Sequence, residues 1–125
     1  MKLWQRLAWA GVLLIAPSVH AEDRPTFDSL WQLANSKPGH QTIDEGRVIR
    51  VVVPNEQTIY FFTKPGQPEH PGVFKRSVIQ DGTRISVQTQ GWSFGDPAAQ
   101  AAFEKVLAQF KAQDAQMRQQ TTGKP

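Results

Sequence analysis

The side chains able to do chemistry fall in two polar stretches. His40, Asp44 and Glu45 lie in the segment His40 to Gly46. Glu69 and His70 close the loop Lys64-Pro65-Gly66-Gln67-Pro68-Glu69-His70-Pro71-Gly72. Two histidines and a carboxylate are the donor set of a facial metal site. No metalloprotease-type ligand spacing is present, however, and exposed loop histidines account for the pair, so no metal and no other cofactor is expected. A nucleophile would need one of these histidines beside Ser36, Ser77, Ser86 or Ser93, and no spacing selects any of them. A Gly-x-Ser-x-Gly elbow and a phosphate-cradling glycine loop are both missing from the sequence. Asp44, Glu45, Glu69 and Asp81 supply carboxylates for sugar hydrolysis, but a small two-layer domain seldom builds the deep cleft that mechanism uses. With no cysteine, thiol catalysis and disulfides are excluded outright. The expectation is a protein that is not an enzyme.

Binding chemistry remains. Prolines limit the unfolded freedom of the Lys64–Gly72 loop, so Lys64, Gln67, Glu69 and His70 can be presented at low ordering cost. The alternative surface is aromatic. Tyr60-Phe61-Phe62 must place rings on both faces of a strand, and an uncovered face would expose a stacking platform of Tyr60 with Trp92, which follows Gly91.

Local patterns position these groups. Thr26 can cap a helix whose apolar face is Phe27, Leu30, Trp31 and Ala34, ended by Asn35-Ser36-Lys37-Pro38-Gly39. His40 to Gly46 is polar and reads as irregular. Arg47 to Val53 and Thr58 to Thr63 read as a hairpin around Pro54-Asn55-Glu56-Gln57, apolar on successive positions and so covered on both sides. Val73 to Gln80 and Thr83 to Trp92 form a second hairpin, with Asp81-Gly82 as its two-residue turn and Gly91 as a bulge or bend. That register places Val78 opposite Ile85 and Phe74 opposite Thr89. Asp96-Pro97 opens a last helix with the stripe Ala99, Ala102, Phe103, Val106, Leu107 and Phe110, and with Asp114 on its solvated face.

The order α-β-β-β-β-α predicts an α+β two-layer sandwich, one four-stranded antiparallel sheet with both helices on one face. Residues 1–21 read as a cleavable secretory signal: Lys2 and Arg6, then the apolar run Leu7 to Ala16, then Val19-His20-Ala21. Residues 22–120 form the single domain and 121–125 a disordered tail. The exported part carries 12 basic and 11 acidic residues, too balanced for a nucleic-acid surface. No later stretch is apolar enough for stable membrane insertion. The expected protein is a small periplasmic binding module that contacts another envelope protein through the proline-rich loop, as an accessory subunit or as an inhibitor of the immunity type. The alternative is a small-ligand or cell-wall glycan binder using exposed aromatics.

Overall fold

A computed structural model describes residues 24–122. The segment expected to be a signal, 1–21, lies outside the described residues, as do residues 123–125 of the expected tail. The chain is an α+β sandwich. Its sheet is one antiparallel meander, in the spatial order β1-β2-β3-β4-β5, with a helix at each end of the chain.

Helix α1 (Phe27–Asn35) begins with a reciprocal cap. Ser29 N–H donates to Thr26 Oγ1 at 3.0 Å, and Thr26 N–H donates to Ser29 Oγ at 2.8 Å. Leu30 and Ala34 are buried from its apolar face. Strand β1 (Gln41–Asp44) then pairs with β2 (Val48–Val53), which pairs with β3 (Thr58–Thr63). The fifth strand corrects the expected count of four. Gln41-Thr42-Ile43-Asp44 lacks an apolar alternation because it is an edge strand, largely exposed and held by backbone pairing to β2.

Strand β4 (Gly72–Asp81) and strand β5 (Arg84–Ser93) form the second hairpin. Its turn sits one residue later than expected. Asp81 pairs with Arg84, so Gly82 and Thr83 make the turn, and Val78 faces Val87 rather than Ile85. Gly82 takes the positive φ of 66° that a two-residue turn demands at its first central position. The same residues still share each face, because the register moved by an even step. Gly91 is no bulge: it pairs in register with Phe74.

Helix α2 (Pro97–Thr122) is capped by Asp96, whose Oδ1 accepts from Ala99 N–H at 2.9 Å. It runs through Thr122, into the segment 121–125 expected as a tail. The helices take opposite faces of the sheet rather than sharing one. Phe61 and Phe62 are successive strand residues and point to opposite sides. Phe27 and Trp31 of α1 meet Phe62 edge-on, with ring centroids 5.6 and 4.9 Å away. Phe110 of α2 meets Phe61 at 5.2 Å. This satisfies the double-sided apolar pattern of β2 and β3, which one covered face would have left half exposed.

Phe103 of α2 stacks on Phe74 with ring centroids 4.3 Å apart. A Cβ on Gly91 would fall 2.8 Å from the Phe103 ring, and one on Gly72 would fall 2.5 Å from it. The role of Gly91 is therefore to let the helix approach bare backbone.

Candidate functional site

On the α1 side, a cleft of about 350 Å³ opens between the helix and the proline-rich loop. Phe27, Trp31, Ile49 and Phe62 form its apolar walls. Asp28, Thr63, Lys64, Pro65 and His70 supply its remaining lining. Each part has a local cause. Phe27 and Trp31 flank the buried stripe of α1, so they are half-buried and face both core and cleft. Thr63 ends β3 where the loop begins.

The loop is tied down at several points. Gly72 N–H donates to Thr63 Oγ1 at 2.8 Å, and the same oxygen lies 2.8 Å from His70 Nδ1. The Thr63 hydroxyl thus accepts from Gly72 N–H while also engaging the His70 ring, joining both ends of the loop's last turn to the end of β3. The His70 ring also sits edge-on to Phe27, with centroids 5.5 Å apart. Backbone turns close Lys64 to Gln67 and Gln67 to His70. Lys64 Nζ donates to both carboxylate oxygens of Asp44, at 2.9 and 3.0 Å. Arg47 Nε donates to Gln67 Oε1 at 3.3 Å. The loop is thus clamped to the β1–β2 turn. The Gly46 N–H and the Lys64 ammonium together hold the Asp44 carboxyl below its usual value.

The expected site residues separate. Lys64 and His70 line the cleft, whereas Gln67 is outside its lining and occupied by Arg47. Glu69 is only 5% exposed, which overturns its presentation to a partner: the turn at Gln67–His70 folds it under the loop. Tyr60 is 1% exposed and belongs to the core, so it cannot form a stacking platform. Burial pushes its phenol above the usual value, more than nearby Lys37 pulls it down. Trp92 is half-buried against the same core. His40 Nδ1 is engaged by the Lys37 carbonyl at 2.8 Å, and none of the hydrogen bonds described for His40 or His70 involves a serine. Among the described residues no three metal-ligating side chains converge.

Phe27, Asp28, Trp31, Ile49 and Thr63 were not singled out as site residues from the sequence. Phe27 and Trp31 read as core, and nothing local distinguishes a half-covered stripe from a closed one. A second concavity of about 340 Å³ lies on the α2 side. Its lining includes Val52, Ile59, Phe61, Val78, Val87 and Met117. The cation beside it, Arg76, is already bound to Asp114 at 2.7 Å.

Comparison with protein-family models, with curated proteins and with solved structures finds no match for this chain.

Proposed function

We propose that the protein is a non-enzymatic binding module that seats a side chain of a partner protein in the cleft between α1 and the proline-rich loop. One observation carries this reading: an apolar, aromatic-walled cleft is bounded by a loop already fixed through Thr63, His70, Lys64 and Asp44. A loop ordered before binding loses little entropy on binding, and an apolar pocket with a polar rim is where interface anchors concentrate. The partner is an envelope protein, reached because residues 1–21 direct export to the periplasm. The accessory-subunit and inhibitor versions share this surface.

The test is crosslinking capture from the native host, using the full chain with a C-terminal tag. One variant is Trp31→Ala. A second replaces residues 64–72 with a Gly/Ser linker. The expected result is a specific partner with the unaltered chain and its loss with both variants, each verified as folded by its melting curve. A partner retained by both at unaltered strength overturns the reading. The mass of the same purified chain tests export, with an N-terminus at Glu22 expected.

A further inference from the structure

We infer that the cleft is selective for a basic side chain, arginine or lysine, of the partner; this rests on the binding reading above. Three observations converge on it. First, the walls suit a cation with an apolar stem. The Phe27 and Trp31 rings stand nearly perpendicular to Phe62, at 81° and 85°, and the His70 ring stands at 78° to Phe27. Phe62 is buried beneath these contacts, so the half-exposed Phe27 and Trp31 rings are the aromatic surfaces that can attract a cationic head, while its methylene stem packs on Ile49 and Pro65.

Second, the charges bordering the cleft are not equivalent. Lys64 is the cation in its lining, and both of its described hydrogen bonds go to Asp44 on the β1–β2 turn. Asp28 is the carboxylate in the lining, and among the described residues it has no hydrogen bond or ion pair. A ligand therefore meets one neutralised cation and one unspent anion.

Third, Asp28 is fixed in place. It sits in the first turn of α1, directly after the Thr26 cap and Phe27, so its backbone is set by the capping box. An acidic residue there also complements the helix dipole. An incoming ammonium or guanidinium would gain a carboxylate partner without either being fully buried.

The experiment is an NMR titration of the full chain with three short peptides, Gly-Arg-Gly, Gly-Lys-Gly and Gly-norleucine-Gly, read at the Trp31 indole N–H. A cation–π contact with a rim ion pair predicts binding of the arginine or lysine peptide about 5- to 30-fold tighter than the norleucine peptide. Asp28→Asn should reduce that preference several-fold, leaving the cation–π part, and Asp28→Glu should restore most of it, with melting curves checking the cap. Norleucine binding as tightly as the basic peptides overturns the inference but leaves the cleft as an apolar anchor. A preference that Asp28→Asn leaves undiminished overturns it too. No shift at Trp31 with any peptide also overturns it, and the capture experiment with Trp31→Ala then decides separately whether the cleft binds a partner at all.

Discussion

The two helices meet the sheet in different ways. α1 has nine residues and touches the sheet through apolar and aromatic side chains, Phe27 and Trp31 against Phe62 with Leu30 and Ala34 beneath. α2 has 26 residues and meets it through an aromatic stack and a charged knot. In that knot Asp114 accepts from Arg76 and from Thr89, both at 2.7 Å, and Arg76 lies 5.0 Å over the Phe110 ring. A face closed by apolar contacts can be left incomplete, because a missing contact costs only the burial it forgoes. A face that buries a carboxylate must close around it, because an unpaired charge is expensive. The knot nonetheless closes only its own part of the α2 face, since a concavity of about 340 Å³ lies beside Arg76; the α1 cleft differs in being bordered by the fixed proline-rich loop.

The largest effect should come from Phe62→Ala. It removes the ring on which both α1 aromatics rest and should cost about 3–5 kcal/mol in denaturant unfolding. The cleft signal at Trp31 should be lost with it. If Phe62→Ala leaves the Trp31 environment unaltered, the ring does not hold α1.

Asp114→Ala follows. It strands Arg76 against α2 and should cost about 2–4 kcal/mol. The contrast sharpens with the triple change Arg76→Met, Thr89→Val, Asp114→Leu, expected within about 1 kcal/mol of the parent because no charge is then left unpaired. A triple variant as unstable as Asp114→Ala would show that the knot contributes more than charge compensation.

Gly91→Ala should cost about 1–3 kcal/mol by pushing Phe103 off β5. Gly46→Ala, with open space around its Cβ, serves as the contrast in packing, although its φ of 91° adds backbone strain.

Smaller effects are readable through pH. Tyr60 is the only tyrosine in the chain, so its alkaline absorbance titration is unambiguous. Its midpoint should lie above 10.0, with burial as the main cause. Since the folded value is the raised one, stability from the neutral phenol is intact below 10.0 and lost as pH rises through the folded value. A midpoint at or below 10.0 would contradict the closed α1 core.

Asp44 behaves oppositely. Its folded value is depressed below 3.8, so its stabilising contribution is present above 3.8 and disappears as pH falls through the folded value. Carboxyl NMR should show the Lys64 tether releasing only in strong acid, and Asp44→Asn should remove that transition.

Much of the fold was legible in the sequence, and the reasons are local. Thr26 and Asp96-Pro97 mark helix starts through capping chemistry, and both caps formed. The β-branched run Val48–Val53 and the aromatic run Thr58–Thr63 paired as a hairpin. β1 was missed because an edge strand needs no apolar alternation. Asp114 was read as solvated, although it lies four residues after Phe110 and seven after Leu107, on the buried stripe. That spacing was the available signal, and its charge obscured it.

The candidate site was less legible. The sequence singled out the loop, and two of its four chosen loop residues, Lys64 and His70, do border the cleft. Glu69 and Tyr60 were misplaced because burial depends on contacts distant in sequence. The sequence by itself determined the elements other than β1, their caps, the double-sided character of β2 and β3, and the stiffness of the loop. These follow from side-chain period and from backbone restrictions that act over a few residues. Tertiary structure alone decided that the helices take opposite faces, that the short one leaves part of its face open, and that Asp28 meets aromatic walls while Lys64 is drawn away to Asp44. Those facts depend on which surfaces remain after packing, and no local pattern encodes what packing leaves uncovered.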